Sequence, residues 1–67
     1  MIRLTVNGEK LQQVTARNLQ ELIETLRLTE KRIAVEVNQE IIPRSEHPTT
    51  RLREGDRVEI VRAVGGG

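Results

Sequence analysis

Ile2-Arg3-Leu4-Thr5-Val6-Asn7-Gly8 is the stretch whose reading decides the fold. Apolar Ile2, Leu4 and Val6 alternate with polar Arg3 and Thr5, the period of a strand with one buried face. Asn7-Gly8 is a strong two-residue hairpin signal, because both central residues of a type I′ turn need positive φ. The chain is therefore predicted to return as a second strand from Glu9 to Val14, with Leu11 and Val14 facing inward. Their spacing of three residues predicts a bulge or irregularity in that strand.

Beyond the hairpin the pattern changes at Asn18. Leu19, Leu22, Ile23 and Leu26 recur at i, i+3, i+4 and i+7, which places them on one stripe of a helix. Asn18 is a good N-cap. Glu21, three residues later, can close a capping box and favours the positive helix end. The helix is predicted to run to about Leu28. Ile33-Ala34-Val35-Glu36-Val37 alternates again and reads as a third strand. Asn38-Gln39-Glu40 reads as a polar turn. Ile41-Ile42 enters a segment punctuated by Pro43 and Pro48, which cannot lie inside a central strand, so that segment is predicted to be irregular with one short turn at Ser45-Glu46-His47. Leu52 is predicted to anchor a brief edge strand. Glu54-Gly55-Asp56 reads as a turn, and Val58 to Val64 as the final strand.

One helix and one sheet must cover each other, which gives a two-layer α+β domain. The opening hairpin followed by a long crossover helix matches the β-grasp, ubiquitin-like architecture, a mixed sheet packed on one main helix. The predicted inward set is Ile2, Leu4, Val6, Leu19, Leu22, Ile23, Leu26, Val35, Val37, Leu52, Val58 and Ile60. Residues 1–64 form this domain, and residues 65–67 are expected to be a flexible C-terminal glycine tail.

With 67 residues the chain is one domain, burying only about 60% of the surface of its unfolded form. It contains no cysteine, which excludes a disulfide staple, a thiolate zinc site and an iron–sulfur cluster. It contains no aromatic residue either, so the core must be Leu, Ile and Val. Eleven basic and ten acidic residues give a net charge of +1, and no aromatic is present to stack on bases. No apolar run approaches the ~20 residues of a membrane span, and Met1 leads straight into a charged alternating segment rather than a signal peptide. The expectation is a cytoplasmic monomer without nucleic-acid or membrane partners.

No nucleophile–base pair is visible, and no metal site can be made by the single histidine. His47, between Glu46 and Pro48, reads as an ordinary surface residue. Glu54 and Asp56 flank Gly55 and read as turn residues rather than paired catalytic carboxylates. Arg51, Arg53, Arg57 and Arg62 form a sparse basic series that is either a solvated face or a dock for an acidic partner.

Gly65-Gly66-Gly67 stands apart. Three consecutive glycines follow the last strand, where ordering them would cost the most backbone entropy, so they add nothing to the fold. The bland reading is a frayed end or an expression scar. The functional reading is that a tail without Cβ atoms is the narrowest peptide a protein can present. At ~3.3–3.6 Å per extended residue it reaches about 10 Å beyond the domain. That suffices to deliver the α-carboxylate of Gly67 into another enzyme's active site. Activation by ATP to an acyl-adenylate would let a sulfur nucleophile attack, leaving a thiocarboxylate on Gly67.

Five stretches together resemble one family over essentially the whole chain: Val6-Asn7-Gly8, Val35-Glu36-Val37-Asn38, Ile42-Pro43-Arg44-Ser45-Glu46, Glu54-Gly55-Asp56-Arg57-Val58-Glu59-Ile60, and Arg62-Ala63-Val64-Gly65-Gly66-Gly67. The chain resembles the ThiS family, the sulfur carriers of thiamine biosynthesis. The resemblance implies that Gly67 is adenylated by a ThiF-like enzyme using ATP and magnesium. Sulfur then comes from a cysteine desulfurase, and a ThiG-like thiazole synthase accepts it. Gly66 and Gly67 match the family's Gly-Gly end, preceded by Gly65. The carrier itself is expected to bind no cofactor or metal and to be a protein co-substrate rather than an enzyme. His47 departs from the family pattern, where many relatives carry an aromatic. A longer, aromatic-containing MoaD-like carrier of molybdopterin synthesis and a plain β-grasp binding module are the alternatives.

Strand parity adds a docking face. If Ile2, Leu4, Val6, Val58 and Ile60 face the helix, Val61 and Ala63 fall on the other face beside the tail. Val61, Ala63 and the intervening Arg62 are thus candidate partner contacts, with scattered surface hydrophobics as the plain alternative.

Overall fold

The computed structural model describes residues 1–29 and 32–62. Strand β1 (Ile2–Val6) turns at Asn7-Gly8 into β2 (Glu9–Val14). Helix α1 is Leu19–Thr25, β3 is Ile33–Val37, β4 is Glu40–Ile41, a 3₁₀ helix covers Arg44–Thr49, and β5 is Arg57–Arg62. The five strands form one sheet in the order β2-β1-β5-β3-β4. β1 and β5 run parallel, and the other pairings are antiparallel, so the sheet is mixed as expected.

The hairpin forms as its sequence dictates. Asn7 and Gly8 have φ of 50° and 83°, the positive values a type I′ turn demands. The predicted bulge is also present. Ile2 pairs Val14 and Leu4 pairs Leu11, so β2 spends one residue more than β1, and Gln13 sits at φ 59°.

Helix α1 starts where predicted and stops earlier. The Glu21 N–H donates to Asn18 Oδ1 at 2.8 Å. The Glu21 carboxylate reaches one residue further back than a capping box requires and accepts from the Arg17 N–H at 2.7 Å. The expected end near Leu28 is corrected to Thr25. The Arg27 N–H bonds to Glu24 O and the Leu28 N–H to Ile23 O, with Arg27 at φ 60°. This is a Schellman ending, and it turns Leu28 back toward the helix so that Leu28 and Ile23 face the same small void. No glycine marks it, which is why the pattern of apolar residues overran it.

Two other expectations are corrected. The short strand is not at Leu52. It is Glu40–Ile41, paired with Val37 and Glu36 through a turn in which Asn38 and Gln39 have φ of 51° and 71°. A second tight hairpin thus forms without glycine. Leu52 stays buried but lies in a loop, tied by its N–H to Arg17 O, beside an isolated bridge of Asn18 with Arg51. The last strand starts at Arg57, one residue before the expected Val58, and is described to Arg62; its expected end at Val64 lies outside the described residues.

Leu4, Val6, Val35, Val37, Val58 and Ile60 from the sheet close on Leu19, Leu22 and Ile23 of α1, with Leu52 at the margin. Ile2 and Leu26, expected inward, are partly buried and pack against this core. His47 is corrected from surface to interior. It is only 3% exposed, and its Nε2 donates to Ile42 O at 3.1 Å. The residues flanking it are exposed, so neither charge nor polarity nearby betrays this; the 3₁₀ turn rotates it inward against α1.

The Schellman ending yields a test. An L-residue at positive φ costs about 1 kcal/mol that glycine does not incur. Arg27→Gly should raise the unfolding free energy by about that amount, seen as a higher urea midpoint at unchanged slope.

Candidate functional site

β5 is the strand that leads to the glycine tail, and the structure holds it on both edges. β3 pairs with it from Ile33↔Arg62 to Val37↔Val58. β1 reaches it only at Thr5↔Arg57 and Val6↔Val58, because the chain then turns away at Asn7. Two turn asparagines complete the pairing. The Asn7 Oδ1 accepts from the Ile60 N–H at 2.8 Å, and the Asn38 Oδ1 accepts from the Arg57 N–H at 3.0 Å. Each asparagine therefore supplies a positive-φ turn and a clamp on the same central strand.

Alternation along β5 buries Val58 and Ile60 and turns Arg57, Glu59 and Val61 to the open face of the sheet. Val61 is 60% exposed, as strand parity predicted. Arg62 is exposed too, but by the same alternation it belongs to the helix side, so it does not share Val61's face. Ala63 and the tail residues Gly65, Gly66 and Gly67 lie outside the described residues, as does the boundary between 64 and 65.

The structure adds residues to this face that the sequence reading did not single out. Ala34 stands opposite Val61, and Ile41, 74% exposed, stands opposite Glu36. Ala34 was legible from the alternation of β3. Ile41 was not, because its strand was not recognised. Three rows result across the open face. Nearest the exit of β5 is the apolar pair Ala34 and Val61. Next come Ile41, Glu36 and Glu59. Beyond them are Arg57, Thr5 and Lys10.

The basic series is dispersed. Arg51 and Arg53 line an open cleft with Asn38, Thr49, Thr50 and Asp56. Arg57 and Arg62 lie at opposite ends of β5 and on opposite faces of the sheet. The carboxylates around Gly55 are turn residues. Glu54 Oε1 accepts from the Arg3 N–H at 3.0 Å and Oε2 from Arg3 Nε at 2.7 Å. These two bonds, backbone first, hold the Glu54 carboxyl below its ordinary value. Asp56 accepts from the Arg53 N–H at 2.8 Å and from Asn38 Nδ2 at 3.0 Å. Neither is left poised for acid–base work. Among the described residues, no group of three His, Asp or Glu side chains is placed to hold a metal, and no helix is long and apolar enough to cross a membrane.

The profile of the ThiS family matches residues 3–67. The chain belongs to the ThiS family. Its fold is that of the crystal structure of the thiamine biosynthesis protein ThiS from Geobacter metallireducens. That protein is 33% identical, with a TM-score of 0.84 over 98% of this chain and 100% of that one. The solution structure of a thiamine biosynthesis protein from the same organism gives a TM-score of 0.77, covering 88% of that chain. The match is also 33% identical over 66 residues to a thiazole synthase of Paramagnetospirillum magneticum, of whose length this chain spans 20%. It is 35% identical to the protein ycf40 of Porphyra purpurea, covering 93% of it.

The asparagine clamp is testable within this ThiS-family fold. Asn7→Gly keeps the turn but leaves the part-buried Ile60 N–H without its acceptor. It should cost about 1–2 kcal/mol in chemical unfolding and speed amide exchange at Ile60.

Proposed function

We propose that this chain is a sulfur carrier of thiamine biosynthesis, a protein co-substrate whose reactive atom is the α-carboxylate of Gly67. The observation that carries the reading is the family match, which runs through the glycine triplet to residue 67. The narrow tail, Gly65-Gly66-Gly67, enters partner active sites where side chains would not pass. A carboxylate is a poor electrophile. Its oxygen attacks the α-phosphorus of ATP, pyrophosphate leaves, and the resulting acyl-adenylate is a mixed anhydride. A sulfide-level nucleophile then attacks the acyl carbon and AMP departs, leaving the thiocarboxylate. ATP and magnesium belong to a ThiF-like adenylating enzyme, and the carrier binds neither. The sulfur originates from a cysteine desulfurase, and a ThiG-like thiazole synthase accepts it.

The match to part of a protein named thiazole synthase, of whose length this chain spans 20%, supports that last partner. The molybdopterin alternative draws no support from these relatives. Docking beside the tail falls to Val61 on the open face, with Arg62 and Ala63 next to it in sequence.

The deciding experiment is intact-mass measurement after incubation with ATP, magnesium, the activating enzyme and a sulfur source. The expected product has one oxygen replaced by sulfur, located on the last peptide. Removal of Gly66 and Gly67, or addition of one residue after Gly67, should abolish the shift; loading that survives either change refutes the reading. Val61→Asp should unfold within about 0.5 kcal/mol of the parent, as exposed substitutions do, yet slow adenylation. Unchanged adenylation kinetics would remove Val61 from the docking face.

A further inference from the structure

The chain has three asparagines, each in a defined setting. Asn7 and Asn38 sit at positive φ in tight turns, and each clamps β5 with its side-chain oxygen. Asn18 caps α1. The residues that follow them differ: Gly8 after Asn7, Leu19 after Asn18 and Gln39 after Asn38. That difference matters to one reaction of asparagine. The backbone nitrogen of the next residue attacks the carboxamide carbon, and a Cβ on that next residue crowds the five-membered ring that forms. Glycine has none.

The setting of Asn7 both admits and restrains this reaction. Asn7 and Gly8 are exposed, and a Cβ built at Gly8 meets no atom within 4 Å, so water and base reach the attacking nitrogen. The Asn7 Nδ2, which must leave, takes no hydrogen bond among the described residues. At Asn38 the Nδ2 is held by Asp56 Oδ1 at 3.0 Å. Ring closure needs the carboxamide and the Gly8 nitrogen to rotate toward each other. The type I′ turn fixes the nitrogen, and the 2.8 Å bond from the Ile60 N–H fixes the carboxamide.

We propose that Asn7 is a site of spontaneous deamidation, restrained in the native turn by its own clamp, whose isoaspartyl product releases β5 from that clamp. The Gly8 nitrogen gives its proton to base and bonds to Asn7 Cγ. The Cγ–Nδ2 bond breaks, ammonia leaves, and a succinimide remains. Water then opens the ring. Attack at Cγ gives aspartate; attack at the backbone carbonyl gives isoaspartate. Nothing is oxidised or reduced, and the net change is amide plus water to carboxylate plus ammonium.

The two products differ at the clamp. Aspartate tolerates positive φ and keeps its oxygen on the same arm, so it still accepts from the Ile60 N–H. Isoaspartate carries the chain through Cβ and leaves a carboxylate directly on Cα. An arm one carbon shorter, in a turn one methylene longer, no longer reaches Ile60. β1 pairs with β5 only at Thr5 and Val6, just before this turn, so the loss falls where the hairpin holds the central strand. The inference does not depend on what the tail carries.

The test incubates the wild-type chain at mildly alkaline pH, folded and in guanidinium chloride. The peptides around Asn7, Asn18 and Asn38 are followed by mass and by an isoaspartyl-specific methyltransferase. In the folded chain Asn7 should convert to acid while Asn18 and Asn38 remain amides. Conversion of Asn7 should run about tenfold faster in denaturant, the factor that one held hydrogen bond supplies. Ion exchange then separates the products. Amide exchange at Ile60 should quicken about tenfold in the isoaspartyl form, as in Asn7→Gly, and stay slow in Asn7→Asp. Asn7 converting no faster than Asn38 in the folded chain overturns the site. Equal rates in folded and unfolded chain overturn the restraint by the clamp. An isoaspartyl form that protects Ile60 as well as wild type does overturns the release of β5.

Discussion

The backbone of β5 has to be hydrogen-bonded along both edges, although neither neighbouring strand is long enough to do it alone. The strand is central in the sheet and the Ile60 N–H is part-buried, where an unpaired amide is costly. β1 leaves it after Val6, and β3 ends at Val37. Asn7 and Asn38, each inside a tight turn, reach across with their side-chain carbonyls to Ile60 and Arg57. Asparagine suits both duties because it tolerates positive φ and carries an acceptor on a short arm. The path of the chain into its glycine tail therefore depends on two turns that lie far from it in sequence.

The two faces of the sheet divide the work. The inner face and α1 form a core of Leu, Ile and Val without an aromatic ring or a cysteine, and nearly every inward position of β1, β3 and β5 is filled. The outer face carries the like-charged pair of Glu36 and Glu59, which is tolerated there because Glu36 is only half-buried and Glu59 is exposed. His47 shows the opposite economy. A polar ring is buried beneath α1, and its Nε2–H is satisfied by the Ile42 carbonyl, so the interior accepts it without an orphaned donor.

What was legible depended on local chemistry. Alternation named the inward residues of β1, β3 and β5. Asn7-Gly8 and the Leu11 to Val14 spacing announced a hairpin with a bulge, and Asn18 announced the helix start. What was illegible depended on residues acting out of type. Arg27 closes a helix where glycine is usual, so α1 stops before Leu28. Gln39 occupies a positive-φ turn position, so β4 was hidden, and with it the exposed Ile41. Leu52 kept its place in the core but not in a strand, since burial constrains a side chain and leaves the backbone to whatever partners are near.

By itself the sequence determined the α+β class, the period of β1, β3 and β5, most of the core, and the glycine triplet. These follow from hydrophobic periodicity and from the steric allowances of glycine and asparagine, both of which act within a few residues. Only the tertiary structure decided which residues become neighbours across strands. Register brought Glu36 against Glu59, set Ala34 beside Val61, sent Arg62 to the other face and placed His47 inside. Pairing between strands distant in sequence is a property of the whole sheet, and no local pattern encodes which side chain will stand opposite which.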